Sequence, residues 1–423
     1  MAVAAPVWDA TVTSGPPCRI CHIPLSETFV DLGMSPLCER YVRADQLDEM
    51  EPFYPLHVRI CPNCLLVQLP EYVAPEVIFS EYAYFSSYSD SWVDHARRYA
   101  EAMAEGLELG PHSLVVEVAS NDGYLLQHFA RSGIPVLGIE PARNVAVAAV
   151  ERGIPTLTEF LGAGVADQVV AAHGRADLVT ANNVFAHVPD LHDFSEGLAR
   201  LLAPEGLLTL EFPHLGRLIE GNQFDTIYHE HFSYFTLHTA RRALADHGLR
   251  VTDAEELTTH GGSLRVHAVH DASRRPTSPR VVEMLAAEEH ANYTTLAGLA
   301  GFASRVEATR YALLDFLIEA RREGKSVAGY GAPGKGNTLL NYCAIRTDLL
   351  AYTVDRNLYK QGMYLPGTHI PIHPPERIAQ TRPDYVLLLP WNLRDELQDQ
   401  LAYVAQWGGR LVVPIPQVEI LPW

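Results

Sequence analysis

Four of the six cysteines stand in two tight pairs, Cys18-x-x-Cys21 and Cys61-x-x-Cys64, while Cys38 and Cys343 stand apart. A C-x-x-C turn presents two thiolates from one backbone loop. Two such turns complete a tetrahedral set suited to Zn²⁺, with no open position for catalysis, so the expected metal is structural. In a reducing compartment such knuckles bind metal more often than they form disulfides; free buried thiols and a redox pair are the alternatives. The 39 residues between the pairs exceed common finger spacing and read as a zinc ribbon with an insertion.

A second chemical stretch is Gln223-Phe-Asp-Thr-Ile-Tyr-His-Glu-His-Phe-Ser-Tyr-Phe-Thr236. His229-Glu230-His231 lacks the i, i+4 histidines of a helical metal site, and general base chemistry in an aromatic pocket fits it better. Asp177-Leu-Val-Thr-Ala-Asn-Asn183 ends an apolar strand in amides, followed by Val184-Phe-Ala-His187. Ligands bind at the carboxyl ends of parallel strands, so Asn182, Asn183 and His187 are candidate site-liners, with His187 equally readable as a structural histidine.

Two further stretches read as strand–turn–helix corners. Leu114-Val-Val-Glu-Val118 leads into the small polar turn Ala119–Gly123 and a helix expected near Tyr124. A second strand, Val136–Ile139, ends in Glu140, 17 residues past Gly123, about where an acidic group meets a ribose. The turn has one glycine where a dinucleotide fingerprint has three. A ligand without a pyrophosphate tolerates that, and S-adenosylmethionine is such a ligand; a nicotinamide site or an ordinary β–α turn are the alternatives. The other corner, Lys325 to Thr338, carries Gly329, Gly331 and Gly334 as G-x-G-x-x-G, with Asp355 21 residues past Gly334. It nearly matches a P-loop but has Gly336 where Ser or Thr would follow Lys335. Its backbone N–H groups and Lys335 suit a phosphate, or it is simply a close-packed turn.

The elements that must position these residues follow from the pattern. Strands at 114–118, 136–139, 156–158, 178–181 and 207–212 alternate with helices, which predicts a parallel doubly wound α/β sheet. A helix is expected from Ser91 to Glu105, preceded by the tyrosine-rich stretch 76–90 containing Tyr82 and Tyr84. His260-Gly261-Gly262 precedes an alternating strand, 264–269. Pro276 and Pro279 mark a boundary, a helical stretch runs 281–322 with a break near 297–301, and strands are expected at 350–354, 383–389 and 409–413. Trp391-Asn392 falls at the loop end of this second sheet. The expected organisation is a zinc-binding module (1–80), a Rossmann-like donor-binding domain (81–275) and a second Rossmann-like domain (276–423).

Composition narrows the partners. The chain has 423 residues, 48% hydrophobic and 20% charged, with a formal net charge of −19. A polyanion such as DNA is therefore an unfavourable partner, while a small anionic ligand needs only a local positive patch. No apolar run reaches membrane-spanning length and the N-terminus lacks a signal pattern, which predicts a soluble cytoplasmic protein.

Taken together, the paired C-x-x-C module, the Glu117-x-x-x-Asn121-Asp122-Gly123 corner, Tyr228-x-Glu230-His231-Phe232, His260-Gly-Gly, the Gly-Tyr-Gly corner near 330 and Trp391-Asn392 resemble the zinc-containing C-methyltransferases of antibiotic biosynthesis that act on nucleotide-linked 4-keto-deoxysugars. The resemblance covers nearly the whole chain, and Tyr-x-Glu-His-Phe is its most specific part. It implies S-adenosylmethionine as methyl donor, structural Zn²⁺ on the four paired cysteines and a nucleotide-sugar substrate, expected to be dTDP-linked, in a monomer or small homo-oligomer. It implies His231 as base, with Tyr228, Glu230 and Tyr82 as further catalytic residues and Tyr84 as rival to Tyr82. The donor would meet Glu117, Ala119, Asn121, Gly123, Glu140, Asn182 and Asn183. Ala119 stands where many relatives carry glycine. The substrate would meet Tyr84, His187, His260, Gly261, Gly331, Lys335, Asn337, Asp355, Trp391 and Asn392. The competing readings are an NAD-dependent oxidoreductase using the 329–334 corner, a methyltransferase of a non-sugar natural product, and a non-catalytic sugar-nucleotide binding protein.

Overall fold

The computed structural model describes residues 15–79, 85–88 and 90–423. Its strands, in chain order, are β1 (Glu27–Ser35), β2 (Tyr54–Ile60), β3 (Val67–Gln68), β4 (Val115–Val118), β5 (Val136–Ile139), β6 (Thr156–Leu157), β7 (Ala176–Asn182), β8 (Leu202–Pro213), β9 (Ser233–Tyr234), β10 (Leu249–Leu257), β11 (Ser263–His270), β12 (Val327–Tyr330), β13 (Thr353–Val354), β14 (Ile372–His373), β15 (Tyr385–Leu388), β16 (Arg410–Val413) and β17 (Glu419–Ile420). They build three sheets, ordered β1-β2-β3-β9, β10-β11-β8-β7-β4-β5-β6 and β14-β13-β12-β15-β16-β17.

The central sheet is parallel from β6 through β8 and antiparallel at β11 and β10. β4 is buried on both faces, which is why three of its four residues are valine rather than alternating with polar ones, Glu117 being the exception. Strand order reverses between β4 and β7, so their carboxyl ends diverge and leave a crevice. The third sheet is parallel from β14 to β16, with β17 antiparallel, and its order reverses between β12 and β15. Each Rossmann-like unit thus has one switch point.

Several expectations shift in detail. The first helix of the donor corner runs Leu126–Arg131, because Tyr124 and Leu125 belong to the turn. The long helical stretch resolves into Pro279–His290, Leu296–Leu299 and Phe302–Arg322, broken earlier than expected where the Thr295 side chain accepts from Gly298 N–H and starts a new turn. The strand expected at 350–354 shortens to Thr353–Val354. The interval between the cysteine pairs holds β1 and β2, an antiparallel pair with two register shifts. β10 was not anticipated, since its register shift at Val251/Asp253 and its charged Asp253, Glu255 and Glu256 break simple alternation.

The N-terminal module is shared between the two larger units. Phe29, Leu56 and Val58 pack in one core with Phe302, Leu313 and Val386. Cys18, Ile20 and Leu25 pack in another with Val116, Phe185 and Phe212 of the central unit. Phe29 stacks on Phe302 at 4.6 Å between centroids. β9 lies just after Phe232 and pairs with β3, so the first sheet is completed by the stretch that carries His231. No helix among the described residues is long and apolar enough to cross a membrane.

Candidate active site

One cavity of about 650 Å³ opens at both switch points. From the central unit it is lined by Ala119, Asn121, Glu140, Asn182, Asn183 and His187; from the following loop by Gln223, Thr226, Tyr228, Glu230 and His231; and from the third sheet by Pro333, Gly334 and Lys335.

The four paired cysteines lie away from this cavity. Their ligand atoms all fall within 4.8 Å of one another. Cys18 and Cys64 Sγ are 3.4 Å apart, as are those of Cys21 and Cys61. Ile20 N–H and Gln68 Nε2 point at Cys18 Sγ (3.5 and 3.2 Å), and Cys64 N–H at Cys61 Sγ (3.4 Å). Donors aimed at sulfur favour thiolates, so the set fits a zinc ion with a closed coordination shell.

The donor corner is built from left-handed backbone. Ala119 (φ 55), Asn121 (φ 49) and Gly123 (φ 77) all have positive φ. A Cβ on Gly123 would lie 2.9 Å from Ile154 Cγ1, so position 123 requires glycine, whereas Ala119 carries strain that glycine would not. The Glu140 carboxylate accepts from Asn121 N–H (2.9 Å) and Ala142 N–H (2.8 Å). Burial raises its pKa, and these two amides pull it back down. Asn121 Oδ1 accepts from Ser86 N–H at 2.8 Å, and Asp122 holds Ser87 Oγ at 2.5 Å and Arg152 at 2.8 Å. The corner therefore grips residues 86 and 87 as well as facing the cavity. Glu117 and Gly123 stand behind the wall. Glu117 is fully buried on β4, and burial with the nearby Glu140 and Asp122 charges pushes its carboxyl well above the usual range.

His231 sits among rings. It stacks on His187 (4.9 Å, 23°), which stacks on Phe79, and Tyr228 lies against it at 4.1 Å. His231 Nδ1 is 2.8 Å from the carbonyl oxygen of Thr226. A carbonyl only accepts, so Nδ1 carries the hydrogen and the basic lone pair is on Nε2. Burial, with the nearby Cys38 and Glu230, pushes the Tyr228 phenol well above its ordinary pKa, leaving it an O–H donor at neutral pH. Cys38 Sγ donates to Glu230 Oε1 at 3.8 Å. His229 turns the other way: its Nε2 meets the carbonyl of Pro55 (3.3 Å) in the N-terminal module.

On the third sheet, Lys335 lies in the first turn of the helix Gly334–Tyr342 and its ammonium is packed 4.6 Å over the Trp391 ring. Lys335 Nζ donates to Asn392 Oδ1, and Trp391 Nε1 donates to Asp225 Oδ2 at 2.6 Å. Burial lowers the Lys335 pKa, and Asp225 opposes this; burial raises Asp225 to about 6. Of the other candidates here, none reaches the wall. Asp355 spends its carboxylate on Ala332 and Asn357 N–H, and Asn337 donates to the Cys38 carbonyl. The glycines serve packing. A Cβ on Gly331 would come within 2.6 Å of Pro390, and one on Gly334 within 2.9 Å of Cys38 and Glu39. Trp391 and Asn392 support Lys335 from behind. Gly261 offers its carbonyl to Gln223 Nε2 at 2.8 Å, within the short 3₁₀ turn Thr259–Gly261. Tyr82 and Tyr84 lie outside the described residues, as does the side chain of His260. Sequence reasoning missed Gln223, Thr226, Glu39 and Trp92 as lining residues. Thr226 and Gln223 were at least within the stretch singled out; nothing marked Glu39, which arrives from the interval between the cysteine pairs.

Three family models match in register with this architecture: a zinc binding domain (residues 18–79), a methyltransferase domain (92–254) and a C-methyltransferase C-terminal domain (258–416). The chain is 38% identical to the C-methyltransferase NovU of Streptomyces niveus over 96% of each chain. It is 29% identical to a ubiquinone biosynthesis O-methyltransferase of Methylobacterium sp. (strain 4-46), over 39% of this chain and 72% of that one. Among solved structures, magnesium protoporphyrin IX methyltransferase (ChlM) from Synechocystis PCC 6803 with bound SAM is 18% identical, with TM-score 0.31, over 43% of this chain and 82% of that one. A zinc-binding knuckle, a donor corner and near end-to-end likeness to NovU thus converge, and the chain belongs to the C-methyltransferase family as an S-adenosylmethionine-dependent enzyme.

Proposed function

We propose that this enzyme methylates a ring carbon beside the ketone of a nucleotide-linked 4-keto-6-deoxyhexose, through an enolate, in deoxysugar assembly for an antibiotic. The observation that carries the reading is the His231 ring, whose tautomer directs a basic Nε2 within a cavity that joins a methyl-donor corner to a half-buried lysine.

The donor supplies an electrophilic methyl group, so the substrate carbon must become a nucleophile. Carbon beside a ketone does so by losing a proton, and a neutral histidine takes that proton near pH 7. His231 removes it at Nε2, and the Thr226 carbonyl steadies the imidazolium through Nδ1–H. The Tyr228 hydroxyl, held neutral, donates to the developing oxyanion. Glu140 orients the donor ribose, and Phe160 and Leu161 beside it offer an apolar surface for a planar base. Lys335 and the first N–H groups of its helix take the substrate's pyrophosphate.

Proton removal and methyl transfer are separable, which gives the test. Wild-type enzyme with a 4-keto sugar nucleotide and S-adenosylhomocysteine in heavy water should wash deuterium into one ring position without methylation. His231→Ala should lose both exchange and methylation, by about 10²–10⁴-fold, while binding both ligands. A fall under about tenfold would refute His231 as the base.

A further inference from the structure

The first cysteine knuckle contains a side chain that reaches out of the zinc module. Arg19 lies between Cys18 and Cys21. Its Nε donates to the Pro189 carbonyl at 3.1 Å and its Nη1 to the Phe232 carbonyl at 2.9 Å. The guanidinium also sits 5.3 Å from the centre of the Phe232 ring. Burial lowers its pKa to about 10, so it is cationic at neutral pH.

Those two carbonyls belong to the two loops that carry the stacked histidines. Pro189 is two residues beyond His187, and Phe232 directly follows His231. Phe232 is further tied by its N–H to the Ala186 carbonyl (2.8 Å), and its carbonyl also accepts from Leu69 N–H (2.9 Å). The root of Arg19 is fixed too. Its backbone N–H donates to Gln68 Oε1 at 3.0 Å, and the same amide's Nε2 points at Cys18 Sγ at 3.2 Å. One planar fork thus spans both histidine loops, and its base is anchored in the cysteine cluster. A lysine's three N–H donors all sit on one nitrogen, so it lacks the planar fork whose separate nitrogens reach a carbonyl in each loop.

We propose that Arg19 is a positioning residue, which sets the His187–His231 stack from the zinc knuckle and so aims the His231 lone pair at the substrate carbon. The proposal rests on the reading of His231 as base. It gives the knuckle a task beyond holding the N-terminal module together: the knuckle fixes the angle at which a distant ring meets the substrate.

The test uses zinc-loaded full-length enzyme as Arg19→Lys and Arg19→Ala, with His231→Ala alongside. In both Arg19 variants, zinc content and donor affinity by calorimetry should match wild type. kcat should fall about 10–100-fold with KM for the sugar nucleotide nearly constant, since misplacement by about 1 Å costs on the order of 10²-fold. Deuterium exchange should fall in parallel, and millimolar guanidinium should restore part of the Arg19→Ala rate. Wild-type kcat in Arg19→Lys beside an inactive His231→Ala would overturn the proposal. So would a rate loss matched by lost zinc or lost donor affinity, which marks a merely structural residue. Arg19→Lys keeps the charge and stem, so it reports even where Arg19→Ala does not fold. Failure of the base assignment reads differently: His231→Ala itself would then retain exchange.

Discussion

Replacing Glu140 by alanine should have two separable effects. The carboxylate is 6% exposed and is the acceptor for two backbone N–H groups, Asn121 at 2.9 Å and Ala142 at 2.8 Å. Alanine leaves both donors without it in a buried corner. A buried unsatisfied donor costs about 1–3 kcal/mol, so with two of them the protein without bound methyl donor should lose about 2–6 kcal/mol of unfolding free energy. Binding suffers separately. Hydrogen bonds from ribose hydroxyls to a charged group contribute about 1.5–3 kcal/mol, or roughly 10–150-fold in donor Kd. Glu140→Gln retains one acceptor oxygen, so it should lose less stability than alanine. Urea unfolding without ligand reads the first effect and calorimetric titration with S-adenosylmethionine the second. A donor Kd within twofold of wild type in Glu140→Ala would refute the ribose contact. An unchanged urea midpoint would refute the dependence of the corner's amides on this carboxylate.

Three further outcomes are expected. Lys335→Ala should raise KM for the sugar nucleotide by roughly 10–150-fold, the worth of charge-assisted hydrogen bonds to phosphate, and leave donor Kd alone; a normal KM would reduce the lysine to a packing role over Trp391. Protein purified without chelator should hold one zinc per chain, and stripping it should unfold the N-terminal module, followed by circular dichroism; metal analysis showing no zinc removes the claim. Burial pushes the Asp225 carboxyl up to about 6 from its ordinary 3.8. The folded state therefore holds a proton that the unfolded state has released, and stability falls as pH rises from about 4 to 6, by on the order of 3 kcal/mol. Asp225→Asn should flatten that part of the stability–pH curve, and an unaltered slope would place the titration elsewhere.

The cysteine cluster was legible because C-x-x-C spacing is local and its chemistry needs nothing else. The donor corner was legible because an apolar strand, a turn of small residues and a distant carboxylate recur in a fixed order. The role of the glycine corner at 329–336 was harder to read. Glycine admits both a phosphate and a neighbouring chain, and which one approaches depends on Cys38, Glu39 and Pro390, all remote in sequence. Asp355 was read as a ligand group because it ends a strand, yet it closes its own turn on Ala332 and Asn357. β9 has two residues, too few for any periodic signal, and its pairing with β3 is a tertiary fact. Arg19 drew no notice for a similar reason, since its partners Pro189 and Phe232 lie 170 and 213 residues away.

The pairing of β3 with β9 also has a consequence in time. Val67 pairs with Tyr234, so the first sheet cannot close until a further 167 residues have been synthesised. At about 5–20 residues per second, the ribosome needs roughly 10–30 s to supply them. During that interval the cysteines can gather metal, but the outer edge of β3 waits unpaired and Arg19 has neither of its carbonyls. The N-terminal module is therefore first in the chain yet stays open until most of the central unit has emerged, with a contact separation that makes its closure slow.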